Sequence, residues 1–275
     1  MKFCYNTIVR SKRLIILLAV FGIICAVIII MSAIFTIYST EAKCLTNYGE
    51  DNSIYTTIES VNREVKSVSD EFRYGNIFLL DEQKVLDAVN KKVAKADAVD
   101  VESVFPNKII VKYYLITEDL QFKVNDEYYV CGENGKILRH GKTDYAKTSD
   151  TIISVTPFTE PTIAENSTHV YTEAESYDMK TLKTILSLSN SLVSEGRRAF
   201  DKSAYESIDL SNKNSVKIKM RKGVSFRLDV SEDKLADAVQ AMVSWYVDMD
   251  ESKLFSGEVI LSYNAQADKI MIYEK

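Results

Sequence analysis

The sequence predicts an α+β protein, with one membrane-spanning helix at the N-terminus followed by two units that mix helices with antiparallel strands. Three observations carry this expectation. Residues 14–37 (LIILLAVFGIICAVIIIMSAIFTI) run for 24 positions without a charge. Beyond them, several stretches repeat apolar residues at spacings of three and four, the signature of a helix with one buried face. In other stretches apolar and polar residues alternate, as they do in a strand with one face on a core.

At about 1.5 Å per residue the apolar run makes a helix about 36 Å long, enough to cross a hydrocarbon layer of about 30 Å with some tilt. A buried helix of a soluble domain rarely stays apolar on every side for so long. A cleaved signal peptide has a shorter apolar region, about 7–15 residues, and a small-x-small cleavage site. The exit here, Tyr38-Ser39-Thr40-Glu41, has no such site, so residues 14–38 read as an uncleaved anchor. Lys2, Arg10, Lys12 and Arg13 precede it, and no acidic residue occurs before Glu41. The positive-inside rule therefore puts residues 1–13 in the cytoplasm as a short tail and the bulk outside, a type II arrangement.

All 39 acidic residues lie beyond the span with 30 of the 34 basic ones, so the outer part carries a formal −9. Such a balance argues against a nucleic-acid or anionic-lipid surface, which needs clustered Lys and Arg. Of the four cysteines, Cys4 lies in the tail and Cys25 in the span. Cys44 and Cys131 lie outside, where they either pair in an oxidising compartment or stand as two small apolar residues.

The first outer unit is predicted over residues 39–145. Residues 39–52 form a polar connection with a strand near 44–48. Ile54, Ile58, Val61, Val65 and Val68 then step by 4, 3, 4 and 3 along one helix face, with Ser53 as its N-cap. Gly75 suits a turn, and Ile77, Phe78, Leu79 and Leu80 are expected to be largely buried. Asp81 caps a second helix whose inner face is Val85, Leu86, Val89 and Val93. Residues 98–116 read as two strands about Pro106 and Asn107, the second rich in β-branched and aromatic residues. A strand pair at 121–130 follows, and Asn134-Gly135 turns the chain into a hairpin strand at 136–138.

The second unit is predicted over residues 146–275, after a polar stretch and just before Pro157 and Pro161. Asp178 opens a helix to about Ala199, with Leu182, Ile185, Leu186, Leu192 and Val193 inward. Val216, Ile218 and Met220 alternate with Lys217, Lys219 and Arg221, and Val224, Phe226, Leu228 and Val230 return after Lys222-Gly223. Ser231 caps a helix stepping through Leu235, Val239, Met242 and Tyr246, and two terminal strands follow at 258–263 and 269–273.

Chemistry-bearing patterns are scarce. The sequence holds no GxGxxG, GxxxxGK[ST], HExxH or GxSxG, and no CxxC or metal-ligand spacing. Its only histidines, His140 and His169, sit in polar stretches and read as solvated. Asp97, Asp100 and Glu102 lie at a helix-to-strand junction where acids are common, and residues 248–251 lack the spacing and glycine of an EF-hand. Asn166-Ser167-Thr168 has the N-glycosylation pattern, which matters only in a eukaryote. No enzyme activity, cofactor or metal is expected. The 16 tyrosines suit either strands or binding surfaces.

The motifs Gly75-Asn76-Ile77-Phe78-Leu79-Leu80-Asp81 and Val99-Asp100-Val101-Glu102-Ser103-Val104-Phe105-Pro106-Asn107, the apolar Ile109-Ile110-Val111 and the hairpin YYVCGENGKIL at 128–138 resemble the FtsQ/DivIB family of bacterial cell-division proteins. One departure is Leu115-Ile116, where the family usually carries Glu-Arg. The resemblance implies a POTRA-like β-α-α-β-β domain in the first unit and the family's β-rich domain in the second. It also implies a non-enzymatic scaffold at the septum whose partners are two bitopic coiled-coil proteins, FtsB/DivIC-like and FtsL-like. The family's partner contact, carried onto this chain, falls on the terminal strands: Glu258, Ile260, Ser262, Tyr263, Lys269, Met271 and Tyr273. Strand addition at a free sheet edge would supply the contact. An alternative is an extracytoplasmic sensor or ligand-binding module working with a membrane partner, since a tail of 13 residues is too short for an output domain.

Overall fold

A computed structural model describes residues 2–46, 52–161, 163, 168–171, 176–191 and 200–275. The chain divides into two compact units, Met1–Leu115 and Ile116–Lys275.

The first unit opens with α1 (Lys2–Ile34), a helix of 33 residues. Its stretch Ile16–Ile34 is long and apolar enough to cross a membrane, and none of it is buried by protein. The helix stops short of the predicted end of the span. Ile37, expected in the anchor, is instead fully buried in the unit's core. Its N–H donates to the Gly75 carbonyl (2.9 Å) and its carbonyl accepts from the Tyr74 N–H (2.9 Å), so the exit is pinned to a loop as soon as the helix ends.

Next come β1 (Ser39–Cys44), α2 (Asn52–Ser69), α3 (Glu82–Lys92), β2 (Ala96–Val104) and β3 (Lys108–Leu115). The three strands form one sheet in the order β1-β3-β2, with β1 parallel and β2 antiparallel to β3. The helical periodicity is realised: Val61, Val65 and Val68 of α2 and Val85 and Val89 of α3 pack on Val101, Ile109, Val111 and Tyr113. The Asp81 side chain accepts from the Lys84 N–H (3.3 Å), the expected cap. Asn90 ties α3 to β2 by accepting from the Ala98 N–H (2.7 Å) and donating to the Ala98 carbonyl (3.1 Å).

Three local expectations are corrected. The first strand lies at 39–44, earlier than predicted, because six residues pair with β3 despite their polar composition. Ser53 lies inside α2, which begins at Asn52, and so is not its cap. Residues 77–79 form one turn of 3-10 helix, which turns Ile77 into the core and leaves Phe78 and Leu79 exposed.

The second unit is built on a nine-stranded sheet. Its strands are β4 (Leu120–Val124), β5 (Glu127–Cys131), β6 (Ile137–Gly141), β7 (Ile153–Thr156), β8 (Tyr205–Asp209), β9 (Val216–Met220), β10 (Ser225–Asp229), β11 (Glu258–Asn264) and β12 (Lys269–Glu274), in the order β12-β11-β10-β9-β8-β7-β4-β5-β6. Helices α4 (Tyr177–Ser191) and α5 (Leu235–Asp248) cover one face. There Leu182, Ile185 and Leu186 meet Leu235, Val239 and Met242 over Ile208, Ile218, Phe226 and Leu261. The predicted boundary near residue 145 is corrected to 115/116. Strand β4 pairs in parallel with β7 (Leu120↔Ile153, Phe122↔Val155), and Leu120, Phe122 and Cys131 share a core with Ile153 and Val155. The strands at 120–141 therefore belong to the second sheet.

Alternation in β9 and β10 falls as predicted, with Ile218 and Phe226 inside and Lys217 and Lys219 outside. Gly223 is required where it stands: its φ is +117°, and a Cβ would sit 2.4 Å from the Phe255 carbonyl oxygen. Ser231 does not cap α5. Its hydroxyl donates to Asp233, and a 3-10 turn at Glu232–Lys234 leads into the helix instead. Leu192 and Val193, predicted on the inner face of the preceding helix, lie outside the described residues, as do Asn166 and Ser167. Cys44 and Cys131 are each free, and burial raises the Cys131 thiol pKa well above its ordinary value.

Candidate functional site: the β11–β12 hairpin

Strand β12 is the outermost strand of the nine-stranded sheet. It pairs with β11 over six consecutive residue pairs, from Val259↔Glu274 to Asn264↔Lys269, without a bulge. Strand β11 lies inside, parallel to β10 on its other side. Of the two terminal strands, only β12 has a backbone edge to offer.

The hairpin is held at both ends by side chains. At the tip, the Asn264 carboxamide oxygen accepts from the N–H groups of Gln266 (2.9 Å) and Ala267 (3.2 Å), and Asp268 takes a positive φ of 45°. The Tyr263 hydroxyl donates to Asp268 (2.7 Å), and Lys234 lies 4.7 Å from the Tyr263 ring centre and 3.7 Å from the Asp268 carboxylate. These contacts lower the Asp268 pKa, chiefly through the Tyr263 hydrogen bond, and raise that of Tyr263 for the same reason. At the chain end, Glu274 accepts from Lys253 (2.9 Å) and from the Trp245 indole N–H (3.3 Å). Lys253 is the main cause of the lowered Glu274 pKa.

Between these two clasps the backbone is available. The Lys275 N–H donates to the Glu258 carbonyl (2.9 Å), which fixes the phase of the ladder. In an antiparallel pair, hydrogen-bonded and non-hydrogen-bonded positions alternate. Met271 and Tyr273 therefore turn their N–H and C=O groups toward β11, and Ile270, Ile272 and Glu274 turn theirs outward.

The structure divides the seven predicted contact residues between two faces. Cross-strand partners share a face, so Ile260↔Tyr273 and Ser262↔Met271 stand together, with Glu258 and Lys269, on the face away from α5. Tyr263 faces the other way, pairing with Ile270 and packing on the core beneath the sheet. On the outer face Ile260 and Met271 are half-buried and Tyr273 is exposed, while Glu258 pairs with Arg227 (3.5 Å). The predicted set omits Ile270, Ile272 and Glu274, whose backbones form the free edge. The length of the 264–269 turn sets that parity.

Other polar groupings are structural. Asp100 and Glu102 both bind Lys112 (2.9 Å each), whose pKa they raise, Glu102 most strongly. Buried Asp119 is met by Lys202 (2.5 Å), which also reaches Glu133 (2.9 Å). Burial pushes the Lys202 pKa down, but the two carboxylates outweigh it and the pKa ends raised, so the amine stays charged. His140 lies on β6, stacked on Tyr129 at 5.3 Å. Among the described residues no three His, Cys, Asp or Glu side chains gather to hold a metal ion. Comparison with protein-family models and with curated proteins gives no match to this chain.

Proposed function

We propose that this protein is a membrane-anchored scaffold of the bacterial divisome. In this reading α1 spans the membrane with its N-terminus in the cytoplasm, and both units stand outside. The first unit corresponds to a POTRA domain, which its β1-α2-α3-β2-β3 order and β1-β3-β2 sheet support. FtsB/DivIC-like and FtsL-like bitopic proteins are gathered at the septum when a strand of one of them adds to β12.

The observation that carries the reading is the open outer edge of β12. Among the described residues no strand pairs with its outer side, to which three alternate residues, Ile270, Ile272 and Glu274, turn their N–H and C=O groups, and the flanking face offers Ile260, Met271 and Tyr273. Backbone groups supply affinity in strand addition, and alternate side chains supply selectivity.

The test has two arms. A fluorescent fusion at native expression is expected to form a midcell band that appears with constriction; an even envelope distribution in normally dividing cells overturns the division role. Amide exchange on the purified outer part is expected to show Ile270, Ile272 and Glu274 protected only when a partner segment is added. Protection elsewhere, with these amides unchanged, moves the site away from β12.

A further inference from the structure

We propose that residues 74–79 and Phe105 form a lipid-facing collar that seats the first unit on the interface of the leaflet where α1 leaves the membrane. This rests on the reading that α1 crosses a membrane, and is independent of the division role.

The collar is a group of large apolar side chains left exposed by the unit's own fold. Tyr74 is 72% exposed, Phe78 61%, Leu79 83% and Phe105 56%. Large contiguous apolar patches mark surfaces that meet something other than water. These residues do not scatter. The Phe78 ring lies 4.7 Å from Phe35 and 5.2 Å from Phe105, and Phe35 lies 6.3 Å from Phe105.

The helix exit identifies what covers them. Phe35 is the first residue after α1. The two loops are tied to that exit by backbone hydrogen bonds: Ile77 N–H to the Phe35 carbonyl (2.9 Å), Ile37 N–H to Gly75 (2.9 Å), and Tyr38 N–H to Asn107 (2.9 Å). The loops therefore cannot lie far from the level at which the span ends. From Leu14 to the end of α1 a rise of about 1.5 Å per residue gives about 31 Å, one hydrocarbon thickness. That puts Phe35, and the rings packed on it, at the acyl–headgroup boundary. Tyr is enriched at this layer, which suits Tyr74, and Phe and Leu are the side chains that interfacial segments bury at the boundary. The apolar lipid-facing surface of α1 thus continues without a break onto the collar, and the occupant it fits is the bilayer itself.

The site also explains the exposure of Phe78 and Leu79. Their 3-10 turn sends Ile77 inward and the next two side chains outward, as a wedge into the interface requires. With the loops hydrogen-bonded to the helix exit, seating the collar would restrict the tilt of the unit against the membrane.

The experiment uses the full chain reconstituted in phosphatidylcholine vesicles with bromine-labelled acyl chains. Trp245 is the only tryptophan and lies in the second unit, so Trp245→Phe gives a silent background. Single probes are placed by Phe78→Trp, Leu79→Trp, Ile24→Trp within the span, and Tyr55→Trp on the exposed surface of α2, at the end of that helix remote from residue 74. Phe78→Trp and Leu79→Trp are expected to lose emission to bromines placed shallow in the acyl chain, Ile24→Trp to deep ones, and Tyr55→Trp to neither. Quenching of Ile24→Trp with Phe78→Trp and Leu79→Trp left bright overturns the collar while leaving the span intact. No quenching at Ile24 overturns the span and the collar with it. Equal quenching at Tyr55 overturns the assignment to this patch. As a cross-check, Phe78→Glu with Leu79→Glu is expected to abolish quenching of a Phe105→Trp probe with the unit's cooperative thermal unfolding kept, since neither replaced side chain belongs to its buried core; undiminished quenching also overturns the proposal.

Discussion

The two outer strands of the nine-stranded sheet end it in opposite ways. Strand β6 is blunted. Its pairing with β5 breaks register between Val130 and Cys131, and the chain's own residues 168–170 lie along its start, with Ile137 N–H donating to the Thr168 carbonyl (2.8 Å) and Val170 N–H to Gly135 (2.9 Å). Arg139 folds over Tyr145 at 4.1 Å and reaches Glu118 (2.7 Å), adding charge to that edge. Bulges, covering segments and charges are the means by which sheets refuse further strands. Strand β12 has an unbroken register and outward groups at every second residue. The contrast teaches that the two rims of one sheet can be finished differently: one is closed by three devices, while the other is clasped only at its ends.

The largest effect is expected from removing the open edge altogether. A chain ending at residue 267 lacks β12, and titration calorimetry is expected to show no binding of a partner segment, while the first unit keeps its thermal transition. Retained binding would shift attention to β6 and dissolve the comparison. Next in size is a pair of single changes that separates edge from core. Ile272→Pro removes an N–H that faces outward and costs the sheet no ladder bond, so stability changes little while binding weakens by about tenfold or more. Met271→Pro removes an N–H directed at β11 and is expected to lower the unfolding temperature as well. If both variants unfolded alike, the assigned phase of the ladder would be wrong. A smaller effect comes from opening the closed rim. Arg139→Val together with His140→Val replaces the two polar side chains of β6 with β-branched apolar ones, and sedimentation is expected to show weak, concentration-dependent self-association that wild type lacks.

The same contrast marks what was legible in the sequence. Periodicity carries the helices and the β9–β10 hairpin, because Val61, Val65 and Val68, or Ile218 and Phe226, report the side of the element that meets a core. Periodicity says nothing about which strand lies beside which. Residues 39–44 look like a polar linker and become a strand only by pairing with β3 far along the chain, and the 120–141 hairpins join the second unit through the parallel β4–β7 pairing. The run at 77–80 reads as core because it is apolar; a single 3-10 turn divides it between inside and outside. At the site, the terminal hairpin is plain from alternation. Which residues face outward is a matter of parity, set by Asn264 and Asp268 at the turn, so the predicted set names six residues of the hairpin's outer face and Tyr263 of its inner one, and misses its edge.

The smallest expected effect tests the clasp on Glu274 at the end of β12. Glu274 is held by Lys253 and Trp245, and its pKa lies below the ordinary 4.5. A carboxylate whose folded pKa is depressed contributes stability above its unfolded pKa, and loses that contribution as pH falls through the folded value. The clasp is therefore intact at neutral pH and releases only below about 4.5. Trp245, as the sole tryptophan, reports the release directly: its emission is expected to step as pH falls below that value, and Glu274→Gln is expected to remove the step. The Gln variant still accepts from the indole but has no charge for Lys253, so at neutral pH β12 should fray slightly, with faster exchange at Tyr273 and Lys275. An identical emission step in the variant would assign it to another acid and leave β12 held by its backbone ladder alone.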